Sequence, residues 1–574
     1  MIYTSVKRSG EAMKKLPIGI SDFKEMMMDN YYYIDKSFLI QEVVELGSKA
    51  MLMPRPRRFG KTLNLSMLKY FFEKTEEDLS YLFKDLAIWQ VGKEYRDMQG
   101  IYPVIFLTFK DVKNSDWEGC FEQLKVIIAD EYRRHDYLLR SSVLSEIEKE
   151  TYINITHMKA HRVIYETSLR KLSEYLEKHY NQKVMIFIDE YDTPIQAGYL
   201  EGYYKKGIEF IRNFLSGGLK DNTSLERAVL TGILKVAKES IFTGLNNFKV
   251  YSILTNKFSR YFGLLEEEVI KMMQDYEITD KIVDIKDWYN GYIFGKNIIY
   301  NPWSIVNFVD GYEEGFVPYW VNTSGNELIK RLITTSNTDI KEDIEKLMRG
   351  ESITKVIDDN MVFEDLDRDD NLIWSFLLFT GYLKATEVDF VNEQNWEAKL
   401  FIPNKEVAYF YKKTLLEWFR SSTSSVKLRA MLQGIIEGEI EVFEYHLKQF
   451  VLNTMSYFDP TGEEPERVYQ GFVLGMLVNL TDHYIVKANR ESGLGRYDIA
   501  IIPKDTMKKA MILEFKKVDP ARKETLETAL EAAIAQIQKN KYDTDLKEAG
   551  IREDNIVKAA IAFKGKELMM RGVT

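Results

Sequence analysis

Gly60-Lys61-Thr62 sets a glycine, an amine and a hydroxyl in three consecutive positions, the combination that handles phosphate and its Mg²⁺. The stretch from Met51 reads Met-Leu-Met-Pro-Arg-Pro-Arg-Arg-Phe-Gly-Lys-Thr, and Leu65, Leu68 and Phe72 then recur at helical spacing. The three residues therefore fall at a helix N-terminus, where free N–H groups and the positive end of the helix dipole favour an anion. Lys61 reaches the outer phosphates of a nucleotide, and the Thr62 hydroxyl is a Mg²⁺ ligand. Arg55 stands where the pattern G-x-x-x-x-G-K-[ST] has its first glycine, so the backbone there is expected to differ. A surface turn capping a helix uses the same residue types, and the loop needs support from elsewhere in the chain.

Lys183 to Glu190 supplies that support: Lys-Val-Met-Ile-Phe-Ile-Asp-Glu, five apolar residues in a row ending in two carboxylates. At the end of a buried parallel strand, Asp189 is placed to hold the Mg²⁺ shell and Glu190 to orient or deprotonate the attacking water. Solvated acids at a strand end are the competing reading. Thr231 closes the apolar run Ala228 to Ile233 where a polar residue senses a γ-phosphate, and Lys235 or Lys238 beyond it adds positive charge. Each of these is equally an ordinary turn or surface residue. Tyr31 to Lys36 brings aromatic residues just upstream of the loop, to flank an adenine ring or to fill the core.

A second constellation lies near the C-terminus. Glu514 and Lys516 flank Phe515 on an apolar strand, so they share one face while Phe515 takes the other. Asp498 precedes them on another strand, after the turn Glu491-Ser492-Gly493-Leu494-Gly495. Asp498 and Glu514 together bind Mg²⁺ through oxygen, the metal lowers the pKa of a bound water, and Lys516 positions that water or offsets phosphate charge. An exposed salt-bridged hairpin is the plainer alternative. The helix carrying Gln536 that follows favours a nuclease-like fold.

The elements that position these residues alternate as α/β. Pro103 to Phe109 reads as a buried strand, and Glu118 to Arg134 and Val163 to His179 as helices. From Arg260 the pattern is mainly helical: Asn301-Pro302-Trp303 starts a helix, and Leu372 to Leu383 forms a buried helix ending at Gly381 with a strand Lys384 to Val388 after it, a winged-helix-like unit. Asp358 to Asn371 reads as a solvated acidic loop and Phe458 to Glu466 as a boundary. Beyond it the order is α-β-β-β-α-β: a helix Val468 to Leu480, strands at Tyr484 to Lys487, around Asp498 and at Met511 to Lys516, the Gln536 helix, and a last strand Val557 to Phe563.

The formal charge of −10 argues against a protein that coats nucleic acid, yet residues 461–574 hold 19 Lys+Arg against 18 Asp+Glu, a net of +1. One cysteine, Cys120, excludes an intrachain disulfide, and six histidines without cysteine partners leave metal binding to oxygen. Neither a membrane span nor a secretion signal is expected, which makes the address cytoplasmic.

With these residues assembled, the chain resembles the bacterial proteins that join an AAA-ATPase-like N-terminal domain to a C-terminal PD-(D/E)XK nuclease domain. The resemblance is carried by Leu16 to Gly19, Tyr33 to Lys36, Arg55 to Thr62, Ile188 to Asp192, Thr231-Gly232, Leu245 to Asn247, Trp288 to Tyr292, Tyr319-Trp320, Thr323 to Asn326, Gly493 to Asp498 and Glu514 to Lys516. It implies a P-loop ATPase core with a parallel sheet, a helical lid with a winged-helix-like middle region, and an α/β nuclease sheet in which Glu466 joins Asp498, Glu514 and Lys516. The expected segments are a mobile tail (1–15), the ATPase-like domain (16–258), the lid region (259–457) and the nuclease-like domain (458–574). ATP and Mg²⁺ are the expected cofactors and nucleic acid, DNA rather than RNA, the expected partner, with a homo-oligomer left open. The other class of function is an ATP-dependent switch whose nuclease-like domain only binds.

Overall fold

The computed structural model describes residues 13–235, 248–323, 326–335, 338–348, 350–361, 363–392, 395–422, 425–454, 473, 477, 480, 483–492, 495–518, 524–540, 542–564 and 567–573. The chain divides into two compact units, residues 1–328 with 352–407, and residues 329–351 with 408–574.

Five short apolar runs build the main sheet of the first unit: β1 (Ala50–Pro54), β2 (Val104–Thr108), β3 (Val184–Asp189), β4 (Leu225–Gly232) and β5 (Phe248–Val250). All pair in parallel, in the order β2-β3-β4-β1-β5. Every residue of β1 and β3 is buried, which explains their unbroken apolar character: a parallel strand covered on both faces has no polar side to alternate with. The order also separates β1 from β3 by one strand. β4 lies between them, so Thr231 at its end stands between the loop after β1 and the carboxylates after β3. Because β1, β4 and β3 run in parallel, their C-terminal ends meet at one edge of the sheet, around one crevice.

The helix following β1 is Lys61–Phe72, with Gly60 in the left-handed region at its start (φ 82°). Helices Trp117–Arg134 and Arg162–Tyr180 agree with their apolar spacing. The expected tail is tied down at its last residues, where Lys15 O accepts from Tyr32 N (2.8 Å) and Lys14 O from the Tyr276 hydroxyl (2.7 Å). The rest of that tail, residues 1–12, lies outside the described residues.

Beyond Arg260 the unit is less helical than its sequence suggests. It carries β6 (Leu264–Leu265), β7 (Tyr292–Phe294) and β8 (Asn297–Tyr300), ordered β6-β8-β7, and β9 (Ile353–Ile357), β10 (Lys384–Asn392) and β11 (Asn395–Phe401), ordered β10-β11-β9. β6, β7 and β8, at two to four residues, are too short to show a period of two. Asn301 caps its helix as expected, its side chain accepting from Ser304 N at 3.2 Å. The buried helix Leu372–Phe379 ends ahead of Gly381, whose φ is +89°. The acidic stretch 358–371 is not wholly solvated, because the turn Phe363–Asp367 buries Phe363 against the Tyr199 ring, with centroids 5.5 Å apart.

The second unit holds a mixed sheet of β12 (Tyr484–Ser492), β13 (Gly495–Pro503), β14 (Ala510–Lys517), β15 (Ile556–Lys564) and β16 (Glu567–Val573), in sequential order. Only β14 and β15 are parallel, joined through helix Leu526–Asn540. Two expectations change here. Part of the turn read at Glu491 to Gly495 is strand, since Glu491 and Ser492 of β12 pair with Arg496 and Gly495 of β13. The sheet also gains β16, which Arg571-Gly572 hid by interrupting its apolar alternation. The expected helix Val468 to Leu480 and the boundary Phe458 to Glu466 fall on residues that are largely or wholly outside those described.

Candidate functional site

The loop after β1 bends through positive φ at Arg58 (68°) and Gly60 (82°), and not at Arg55. The position of the motif's first glycine therefore makes no demand for one here. The Arg55 guanidinium is fully buried, its Nη1 donating to Pro54 O (2.7 Å) and Tyr251 O (2.6 Å), and it lies 4.9 Å from the Phe262 ring centroid and 5.4 Å from that of Phe294. Burial pushes its pKa down to about 9. Arg55 thus fastens the loop to the chain leaving β5. Lys61 is 3% exposed; its Nζ donates to Arg55 O and Pro56 O at 3.1 Å each and lies 3.1 Å from Glu190 Oε1. The loop's own carbonyls aim the amine.

Asp189 closes β3 with no exposed surface and is held from two sides. Thr62 Oγ1 donates to its Oδ2 at 2.8 Å, and Thr231 Oγ1 to its Oδ1 at 2.7 Å, with Thr108 Oγ1 3.4 Å from Oδ2. Burial, and next the Glu190 carboxylate, raise its pKa above the ordinary aspartate value. An oxygen-only set of this kind, a buried carboxylate flanked by hydroxyls beside an amine, suits a hard cation such as Mg²⁺. Sequence reasoning passed over Asp192. It is 3% exposed, its Oδ2 accepts from Ile233 N and Leu234 N at 2.9 Å, and burial raises its pKa to about 6. The bonds lash the end of β4 to the turn after β3, and a Cβ on Gly232 would stand 2.5 Å from Asp192 Oδ1. An acid three residues after Asp189 was the available signal.

Lys235 does not extend toward this crevice: its Nζ donates to Asn360 Oδ1 at 2.6 Å and lies 3.5 Å from Asp359. Lys238 and Leu245 to Asn247 are outside the described residues. Next to Gly60 an apolar cleft of ≈ 100 Å³ is lined by Tyr32, Tyr33, Ile34, Phe59, Leu63 and Asn64, among others. The aromatic run upstream of the loop therefore meets the first turn of the phosphate-loop helix.

A further buried carboxylate, also not anticipated, lies in the same unit. Glu406 Oε2 accepts from Ser304 Oγ at 2.8 Å and Oε1 from Trp320 N at 2.5 Å, yet burial outweighs these bonds and raises its pKa to about 7 from 4.5. The folded state then binds this proton more tightly than the unfolded chain. The group's contribution to stability is full below pH 4.5 and is lost as pH rises through about 7. Glu406→Gln should flatten that part of the pH dependence and exceed wild-type stability at about pH 8 by up to about 3 kcal/mol, as urea unfolding at stepped pH would show.

In the second unit Asp498 and Glu514 sit on neighbouring strands, one residue past the ladder pair Ile499–Leu513. Asp498 Oδ2 accepts from Phe515 N at 2.7 Å, which sets its carboxylate against β14 between Glu514 and Lys516. Ala510 and Ile512 face the core under helix Leu526–Asn540, and the alternation carries Glu514 and Lys516 along that same face. Glu514 is 1% exposed and Lys516 half-buried. Asp498 and Glu514 thus share one face of the sheet with Lys516, and two carboxylates are oxygen donors of the kind that could hold a divalent cation. Gln536 is engaged with the Tyr542 hydroxyl at 3.1 Å. Glu466 lies outside the described residues.

Comparison with known proteins finds a family for each of the two segments that hold these residues. Residues 17–242 match the family described as Predicted AAA-ATPase, and residues 464–572 match the PD-(D/E)XK nuclease superfamily. A protein of Azotobacter chroococcum mcd 1, described as an uncharacterized protein in the vnfD 5′ region, is 26% identical over 420 residues, 72% of this chain and 72% of that one. The chain thus joins an AAA-ATPase-like segment to a nuclease-superfamily segment.

Proposed function

We propose that the protein is a nucleotide-regulated, Mg²⁺-dependent nuclease: ATP binds and is hydrolysed over residues 16–258, residues 259–457 form a lid region, and residues 458–574 cut phosphodiester bonds in nucleic acid, DNA rather than RNA. The observation that carries the nucleotide half is Asp189 bridged between Thr62 and Thr231, with Lys61 beside Glu190. Gly60, Lys61 and Thr62 take the phosphates, Thr62 and Asp189 hold the cation, and Glu190 holds the attacking water and accepts its proton. Thr231 keeps Asp189 in place beside the γ-phosphate, and the aromatic cleft takes the base. Bound Mg²⁺ supplies positive charge to the phosphates in both halves. In the second, Asp498 and Glu514 are its ligands, Lys516 steadies the phosphate, and Glu466 completes the set. We place the protein in the cytoplasm and leave a homo-oligomer open.

One observation favours the second reading, an ATP-dependent switch whose nuclease-like segment binds without cutting: Glu514 is 1% exposed. Assaying the full chain on DNA and RNA of several forms, with Mg²⁺ and with ATP, a non-hydrolysable analogue or neither, separates the two. Lys61→Ala should weaken ATP binding by about 10- to 100-fold, the loss of charge-assisted bonds to phosphate. Equal ATP affinity in the two proteins would remove the loop from the reading.

A further inference from the structure

Three residues from separate stretches end against the phosphate loop. The Trp320 Nε1 donates to Arg57 O at 3.0 Å, the Tyr292 ring meets the Phe59 ring with centroids 4.9 Å apart, and a Cβ on Gly381 would stand 3.0 Å from Pro56 Cβ. Trp320 is 3% exposed, wedged between Tyr382 (centroids 5.0 Å apart) and Tyr292 (6.0 Å). Its backbone N–H is held by Glu406, in the first turn of helix Lys405–Ser422, whose start is itself gripped. Asn404 accepts from Val407 N (3.0 Å) and donates to Asn290 O (2.9 Å). Gly291, at φ +102°, is pressed so closely on this turn that a Cβ would come within 2.2 Å of Pro403 O.

A carbonyl accepting an indole N–H is a specific constraint on a loop. In a trans peptide the N–H points opposite to the C=O, so fixing Arg57 O also fixes the direction of the Arg58 N–H. Arg58 and Gly60 have positive φ in a loop whose other residues do not. Alternation of that kind turns successive N–H groups toward one concavity, the arrangement that binds anions. Packing alone needs no hydrogen bond here, since the Trp320 ring is already enclosed by aromatic neighbours.

We infer that Trp320 is a positioning residue for the phosphate loop: its indole N–H sets the Arg57–Arg58 peptide for phosphate, and Glu406 sets Trp320. The inference rests on the nucleotide reading of Lys61 and goes beyond it in naming what shapes the loop. Trp320→Phe keeps an enclosed ring and deletes the donor. Glu406→Gln keeps a group that accepts from Trp320 N and meets Ser304, whereas Glu406→Ala removes both contacts.

The test is ATP affinity by equilibrium titration of the full chain, beside melting without nucleotide. Trp320→Phe should lose about ten-fold in ATP affinity, one hydrogen bond's worth, while its nucleotide-free melting stays cooperative and falls by only a few degrees. Glu406→Gln should bind ATP as wild type does, and Glu406→Ala should fall with Trp320→Phe. Unchanged ATP affinity in Trp320→Phe overturns the inference, and so does a loss accompanied by a collapsed melting curve, which would make the residue structural. Wild-type protein that binds no ATP overturns the nucleotide reading itself, a result distinct from either.

Discussion

Removing the carboxylate of Asp498 or Glu514 should lower nucleic-acid cleavage by about 10³-fold or more, and removing both should add little, because members of one interdependent catalytic set do not contribute additively. The expectation follows from the anchoring of Asp498, whose Oδ2 takes the Phe515 N–H at 2.7 Å. That bond fixes the aspartate beside Glu514, so either one alone offers a divalent cation too few oxygens. Asp498→Asn and Glu514→Gln are the informative variants. Asn keeps an acceptor for Phe515 N, and Gln keeps the volume of a side chain that is 1% exposed, so neither leaves a cavity in the sheet. Lys516→Ala should also lose cleavage while retaining metal binding, since an ammonium is not a ligand. All of them should bind ATP as wild type does, Lys61 belonging to the other unit with its own core. A Glu514→Gln protein that cuts like wild type would leave the binding-only reading standing.

What was legible in the chain follows from how local each signal is. β1 and β3 could be read because burial on both faces leaves an unbroken apolar run, and Gly60-Lys61-Thr62 and Asp189-Glu190 could be read because each is contiguous. The Glu514–Lys516 spacing was legible for a similar reason, period-two alternation within one strand. The strand order was not. Placing β4 between β1 and β3 depends on pairings such as Ala50 with Ala228, far apart in sequence.

Residues recruited by tertiary contact were equally hidden. Glu406 carries no local signal of burial, and only the fold brings Ser304 and Trp320 to it across 102 and 86 positions. Trp320 and Tyr292 stood in stretches that carried the family resemblance, but sequence spacing says nothing of the loop they reach. Arg55 shows the converse: as a departure from a motif it suggested a changed phosphate cradle, whereas its side chain turns inward to Tyr251 O and the aromatic rings.

Glu190→Gln should slow ATP hydrolysis by about 10²- to 10⁴-fold, the usual contribution of a general base, while leaving ATP affinity close to wild type. Glu190 occupies the left-handed region at φ +52°, an uncommon conformation for a residue with a Cβ, and the turn around it is tightly held. Tyr191 N donates to Thr231 O at 3.0 Å, Thr193 N to Glu190 O at 3.1 Å, and Asp192 takes Ile233 N and Leu234 N at 2.9 Å. This backbone carries the Glu190 carboxylate out beside Lys61, 3.1 Å from its Nζ, instead of back into the sheet with Asp189. The amide of Gln has the same shape and still accepts from Lys61, but it takes no proton from water. Single-turnover hydrolysis beside equilibrium ATP binding separates chemistry from affinity. If Glu190→Gln hydrolyses ATP at the wild-type rate, the base is another group, and Asp192, with a pKa of about 6 and two residues away, is the next to replace by Asn.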